Sequence, residues 1–450
     1  MLTATCRAEY KVGVGMGYSS GGFIGNVKVG GTLKAGSQQQ YCLRNAHLSK
    51  GAEGGVWNMV FVGTEGAPQS QCGHSASQAG TVSIDSTPVV AEKPFIAIDD
   101  MGKYHLHVPL VNRHRVGNDF SVGAVVGFDR VFVARVTDTA ATINRWLLVG
   151  FHVVLTPGIY HLEAPIVLSK TNQVLLGIGF ATLVSPKGAP CIRVLNVDGV
   201  RVSGVLLEAG TDSDGDAPEA LLEWGDGKHV GSPFNPSFMH DVFVRVGGTN
   251  DPAEAQARAK VMVKVSSGYV VGDNLWLWRA DHGVSGLVKD QMNPVDTGLI
   301  VTGRNVTMYG LAVEHTLKDL VQWKGEGGKT YFFQSELPYD VTQAFGDAGY
   351  VGYRVADDVR DHRAHGVGVY HYFRDYPVTV PRGIAVPPWL ENSIESPLGV
   401  YLSGEGTMEN VINSRGHETS KGSGQARWVC DKVADVPYAP PGMVTTTATT

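Results

Sequence analysis

The chain has 450 residues, enough for two or three domains or for one long solenoid. Its charged fraction of 18% and formal net charge of −6 give no general attraction to nucleic acid or to an anionic membrane. No apolar run reaches the roughly 18 residues of a transmembrane helix, and MLTATCRAEYKVGVG lacks the basic start and apolar stretch of a signal peptide.

Residues 1–83 read as short strands cut by Gly and Ser, among them GGFIGNVKV, QQYCLRNAHL and GVWNMVFVG. Asn26 and Asn45 hold matching places 19 residues apart, which predicts successive coils with asparagines stacked at a turn. A plain antiparallel meander is the alternative. The first twenty residues fit no coil, so the chain is expected to enter a solenoid partway, with a partial first β-helical module. Within it, Ser37 to Gln40 (SQQQ) form a polar patch suited to a water or to sugar hydroxyls, although glutamines also simply ladder along solenoids. The 57 glycines, spread without collagen periodicity, suit the many tight turns such a fold needs.

Residues 84–136 have a different texture, with Pro88, Pro94 and Pro109, and read as a connector. TDTAATINRWLLVG then predicts a short helix, N-capped by Thr137 or Asp138, with Ile143, Leu147 and Leu148 on one face. It would cover the open end of the main parallel β-helix, assigned to residues 137–435. FHVVLTPGIYHLEAPIVL, with a Pro-Gly turn between apolar strands, opens that helix. Similar segments then recur, and aligning their strand ends predicts one column of ionisable residues: Glu208, Arg245, Asp281, Glu314, Glu336 and Asp375. The Pro- and Thr-rich tail, residues 436–450, is expected to be disordered. Cys6, Cys42, Cys72, Cys191 and Cys430 show no metal spacing, leave at least one thiol unpaired within the chain and do not fix a compartment.

Glu314 and Glu336 lie 22 residues apart, about one solenoid coil, so they are expected to stack on neighbouring strands. Stacked like charges raise the pKa of one member, and burial by Trp323, Tyr331, Phe332 and Phe333 would act the same way. A carboxylic acid kept protonated near neutral pH is what a departing glycosidic oxygen requires. The plainer alternative is an acid pair neutralised by Lys318, Lys324 or Arg374 on a solvated face. Asp281-His282 and Glu314-His315 raise the question of a metal. Adjacent strand residues face opposite ways, however, and no HExxH or Cys/His spacing occurs, so substrate or supporting roles are assigned and no metal or other cofactor is expected. Trp276 and Trp278 alternate and therefore share a face; core packing is the plainer reading, and exposure would make them sugar platforms together with Trp323, Tyr339, Tyr372 and Tyr376.

The segments WLWRADHG, GLAVEHT and FFQSELPYD resemble the central motifs of glycoside hydrolase family 55, β-1,3-glucanases built from two right-handed β-helical modules. The resemblance implies Glu336 of Gln334-Ser335-Glu336-Leu337-Pro338-Tyr339 as general acid and Glu314 of Val313-Glu314-His315 as a supporting acid. It further implies that Gln39 and Gln40, in a Gln-Gln-x-x-x-Arg-Asn pattern, help place the attacking water of an inverting reaction. The expectation is thus an all-β, right-handed parallel β-helix with catalytic Glu336 and Glu314. Asp281, His282, His315, Gln334, Tyr339, Trp278, Trp323, Asp375, Gln39 and Gln40 are assigned to substrate. The expected partner is a polysaccharide rather than nucleic acid or membrane, and the protein is expected to be secreted and monomeric. A catalytically silent carbohydrate-binding solenoid and a polysaccharide lyase are the rival readings.

Overall fold

The computed structural model describes residues 10–12, 15–17, 21–74, 78–211 and 217–432. The predicted disorder of residues 436–450 lies outside this set, as do most of the first twenty residues. Four strands, β1 (Gly22–Gly25), β2 (Gln40–Arg44), β3 (Asn58–Val62) and β4 (Gly80–Ile84), form a parallel sheet in the order β4-β3-β2-β1. After β1, β2 and β3 stand Asn26, Asn45 and Gly63, with φ of 52°, 52° and 55°. Asparagine and glycine enter that left-handed region most readily. The predicted asparagine stack is therefore a corner, and the ladder is parallel rather than a meander.

Residues 87–127 then form antiparallel pieces: Thr87–Val90 with Asn112–Arg115, and Phe95–Ile98, Tyr104–Val108 and Ala124–Gly127 together. A second parallel stack begins at β5 (Val131–Ala134) and β6 (His152–Leu155), with helix α1 (Ala140–Leu148) between them. The helix starts later than the sequence predicts. Thr139 is the N-cap, accepting from the Thr142 N–H, while Asp138 accepts from the Arg135 N–H at 2.7 Å. Ala140, Ile143 and Leu147 are buried as one stripe, whereas Leu148 is 62% exposed because it falls off that stripe.

The stack continues through β7 (Val174–Val184), β8 (Arg201–Glu208), β9 (Ser237–Val246) and β10 (Val270–Arg279). It then runs through β11 (Thr307–Glu314), β12 (Gly328–Glu336), β13 (His362–Phe373) and β14 (Leu398–Gly404), and an antiparallel β15 (Ala426–Trp428) closes its end. A separate eight-stranded parallel sheet, from Ile166–Leu168 to Ile384–Ala385, forms another wall. Inward-facing Val, Leu and Ile of the two sheets fill the space between them.

From β8 to β13 each strand of the main sheet bends at one residue with positive φ: Gly204 (67°), Asp241 (49°), Asn274 (64°), Gly310 (63°), Phe332 (69°) and Gly366 (61°), whereas β7 turns at two, Gly179 (61°) and Phe180 (53°). The ladder skips these residues; Tyr309 pairs with Tyr331 and Leu311 with Phe333, leaving Gly310 and Phe332 between. The bends therefore stack, and each coil presents two outward faces. The face before the bend packs on the first sheet, where Phe238, Val271, Tyr309 and Tyr331 meet Cys42, Val60, Val62 and Val82. Arg44 crosses this interface, giving paired bonds to Asp273 at 2.8 and 2.9 Å and to Glu92 at 2.9 Å each. The guanidinium is almost fully buried, so both acids are needed to replace its lost water.

A second clasp joins the two ends of the described chain. Cys72 and Cys430 form a disulfide across 358 residues, and Trp428 donates to the Trp57 carbonyl at 3.1 Å.

Replacing Arg44 with Ala leaves Asp273 without its cation and Glu92 with only Arg115, at 3.7 Å; it is expected to lower unfolding stability by about 3–5 kcal/mol, read from the urea midpoint. The Cys72→Ser, Cys430→Ser double variant removes a very long closure and is expected to lose about 2–5 kcal/mol in the same measurement, while the wild type behaves like the variant once reduced.

Candidate active site

The outward face beyond the bend carries the acids. Glu314 pairs directly with Glu336 in the ladder between β11 and β12, so their backbones are about 4.8 Å apart and both side chains leave the same face. The column expected from strand ends is correct only in part. It runs Glu208, Arg245, Trp278, Glu314, Glu336, Tyr370, with Trp278 in place of Asp281 and Tyr370 in place of Asp375. β13 extends beyond the column to Phe373, and Asp281 follows β10 in a loop, so strand ends mislead. Ladder bonds and the stacked bends set the register instead.

Glu314 accepts from the Trp276 indole N–H at 2.8 Å and from the Gln334 amide. Burial pushes its carboxyl up to about 7 against the pull of those two donors, with the Asp281 charge adding to the rise. Glu336 is pushed well above the ordinary carboxyl range by burial first, then by Glu314 and Asp281. The Tyr339 hydroxyl donates to Glu336 Oε2, which leaves the other oxygen to hold the proton. Two half-buried acids that resist joint ionisation form a proton reservoir near neutral pH.

A cavity of about 280 Å³ opens beside Glu314, lined by Trp276, Glu314, Gln334 and Phe332 from the main sheet and by Phe23 and Gln40 from the first; Glu336, the ladder partner of Glu314, borders this lining without being part of it. Gln40, Cys42 and Arg44 share one phase of β2 and turn toward the main sheet. The Gln40 amide oxygen accepts from the Tyr370 hydroxyl at 2.9 Å, which leaves its NH2 for the cavity. Gln39 precedes the strand in the opposite phase; its carbonyl accepts from Trp57 and Asn58, and it is not among the lining residues. At the rim, a Cβ on Gly21 would sit 1.2 Å from the Gln40 carbonyl oxygen, so only glycine lets the chain cross there. Phe332, with φ of 69°, is a bulky residue held in a conformation that disfavours it, and such strain collects at working sites.

The remaining assignments divide. Trp276 and Trp278 face outward, stacked at 5.3 Å between ring centroids, so the core reading of this pair is wrong. Trp323 is fully buried in the eight-stranded sheet against His362, and its assignment to substrate is corrected: its strand points it into the core. His315 is only 2% exposed and touches the Tyr339 ring edge-on at 4.3 Å, so it supports that tyrosine rather than meeting a ligand. Burial holds its imidazole neutral, lowering the pKa to about 4. Asp281 lies 3.0 Å from exposed His282 and 3.6 Å from His315. Asp375 is paired with Arg374 at 2.7 Å in a neighbouring hollow lined by Tyr372 and Tyr376, outside the cavity of the acids.

Arg279 and Asp340 escaped the sequence reading. Arg279 is buried and gives Asp340 two bonds of 2.9 and 2.8 Å, and it also reaches the carbonyls of Met292, Asn293 and His315. It thereby ties the loop carrying Asp281 to the coil carrying Glu336. The signal was present: Leu275, Leu277 and Arg279 share the inward phase of β10, and an arginine there requires an acid.

Residues 131–336 match the LAM55 pectate lyase-like domain. An Exo-beta-1,3-glucanase of Streptomyces sp. (strain SirexAA-E / ActE) is 37% identical over 417 residues, 90% of this chain and 66% of that protein. The chain therefore spans about two thirds of the length of that curated relative. The structure of sacteLam55A from Streptomyces sp. SirexAA-E superposes with a TM-score of 0.83 at 36% identity, covering 92% of this chain and 74% of that one. A glutamate-to-alanine variant of it, in complex with glucose, gives the same figures. With that likeness extending from the first sheet through the acid pair, the chain belongs to glycoside hydrolase family 55.

Proposed function

We propose that this chain is a glycoside hydrolase that cleaves β-1,3-glucan, with Glu336 as the general acid. The observation that carries the reading is the registered pair Glu314 and Glu336, both raised in pKa, beside a cavity whose far wall comes from another sheet. A protonated Glu336 donates to the departing glycosidic oxygen. Glu314, tied to Trp276 and Gln334, keeps that proton in place by charge repulsion. Gln40 and Gln334 offer amides to the attacking water, and the exposed indole of Trp276 offers a face for a sugar ring. The relatives' names support the linkage, and the glucose complex of the glutamate variant supports a glucose-sized site. The negative charge of Asp281, together with that left on the proton-sharing pair Glu314 and Glu336, would repel a uronate, which disfavours the lyase reading.

An inverting pair needs about 6.5–9.5 Å between carboxyls, and neighbouring strands supply only about 4.8 Å at the backbone. This favours an amide-held water over Glu314 as base. The closeness of the pair would also suit a carboxylate nucleophile in a retaining reaction, so the anomer released from laminarin, followed by NMR, decides between them. A retained β-anomer would make Glu314 the nucleophile.

The architecture we favour is a right-handed β-helix, as nearly all parallel crossovers are. Residues 1–83 would be part of a first module, 84–136 a connector and 137–435 the main helix. The Cys72–Cys430 disulfide supports an oxidising, extracellular setting for a monomer.

Changing Glu336 to Gln should abolish release of glucose from laminarin, by at least about a thousandfold in kcat with little change in KM; retained turnover would refute the acid assignment. Activity should persist at pH 7 and fall as pH rises through the raised Glu336 pKa. If Glu314→Gln retains measurable turnover, the lost charge should move that alkaline limb of kcat/KM down by on the order of one pH unit.

A further inference from the structure

The end of β15 packs on the first sheet rather than on the long core. Trp428 joins Trp57, Tyr370, Leu398 and Val400 in a small cluster separate from the core between the two main walls. Its indole lies so close over Gly73 and Gly80 that a Cβ at either would collide with the ring, and it donates to the Trp57 carbonyl. Two residues on, Cys430 is bonded to Cys72. The disulfide borders a cavity of about 360 Å³, lined also by Gln71, Thr81, Glu395 and Arg415, and Cys430 itself is exposed. A small thiol can therefore reach it.

From this clasp a short series of contacts leads to the reacting groups. Trp57 is buried, with its N–H donating to the Gln39 carbonyl at 3.0 Å and its ring edge-on to Tyr370 at 5.3 Å. Tyr370 is the ladder partner of Glu336, and its hydroxyl holds the Gln40 amide oxygen at 2.9 Å. An amide released from that bond can turn over and take its NH2 away from the cavity of the acids. Small satellite clusters open locally at a lower free energy than the whole fold. Here a covalent closure across 358 residues keeps the cluster shut.

We propose that Cys72–Cys430 is a redox switch on turnover: closed, it holds Gln40 in position through Trp428, Trp57 and Tyr370, and opened, it leaves a folded enzyme that turns over slowly. Opening takes two electrons. A thiolate of a dithiol attacks one cysteine sulfur and forms a mixed disulfide, and the second thiol of the reagent then displaces that cysteine. The two cysteine thiolates released take up the two protons of the dithiol, which leaves as its cyclic disulfide. The switch rests on the hydrolase reading and goes beyond it by making full activity conditional on an oxidising setting.

The test is kcat and KM on laminarin for the oxidised and the dithiothreitol-reduced wild type, with near-ultraviolet circular dichroism reporting the fold of each. Reduction should lower kcat about tenfold, leave KM within about twofold and be reversed by reoxidation. The Cys72→Ser, Cys430→Ser double variant should match the reduced enzyme and ignore the dithiol. In Tyr370→Phe the link to Gln40 is already cut, so kcat should start low and reduction should lower it no further. Trp428→Phe, with the disulfide intact, loses the bond to the Trp57 carbonyl and should lower kcat about threefold, again only where Tyr370 is present. An unchanged kcat on reduction, an equal fall in Tyr370→Phe, or a reduced protein that unfolds outright would overturn the switch while leaving the hydrolase reading intact. If the oxidised wild type cleaves no β-1,3-glucan, that reading fails by itself, and hydrogen exchange then tests the switch. Reduction should speed exchange at Gln40–Arg44 and Asn58–Val62 in the folded protein, and unchanged exchange there overturns it.

Discussion

The working face depends on one buried cation. Arg44 leaves the first sheet, enters the main one and meets Asp273 and Glu92, which come from different parts of the chain. A guanidinium with almost no contact with water is costly unless its donors are used, and here they are shared among two carboxylates and the Asn45 amide. The consequence is positional. Gln40 stands four residues before Arg44 on the same face of β2, so fixing the arginine fixes the amide beside Glu314. The Tyr370 hydroxyl bonded to Gln40, with its ring edge-on to Trp57, extends the same rigidity to the coil after Glu336.

Arg279 and Asp340 play the corresponding part on the other side. Their pair is nearly inaccessible to water and joins the Asp281 loop to the segment after Glu336. Burial would raise the Asp340 carboxyl, but the Arg279 bonds and charge outweigh it and hold it below the ordinary range. Structural and reactive acids are thereby kept chemically distinct although Asp340 follows Glu336 by only four residues. Asp340 is neutralised by a full cation, whereas Glu314 and Glu336 are given only neutral donors. Neutral donors lower a carboxyl less than a cation does, so the reactive pair keeps a shared proton.

Cavity size alone would not have located this site. The hollow on the outer face of the eight-stranded sheet, about 600 Å³, is larger, but Arg193 and Glu223 neutralise each other in it. Chemistry follows from which charges are left without counter-ions and which backbones are strained. Both features meet around Phe332, Glu314 and Glu336.

Much of this was legible in the chain itself. A spacing of 22 residues brought Glu314 and Glu336 onto neighbouring coils, and the matched asparagines at 26 and 45 marked a repeated corner, because both are local consequences of coil length. Strand phase was legible as well, and it places Trp276 with Trp278 and Gln40 with Arg44. What sequence order could not supply was where each strand stops relative to its neighbours; one runs on to Phe373 and another ends before Asp281, so aligning strand ends misplaced Asp281 and Asp375. Nor could it show that Arg44 meets Asp273 across 229 residues, that Trp323 points into the core, or that Gln40 closes a cavity of the other sheet. Those are contacts between surfaces, and only the packed chain decides which surfaces meet.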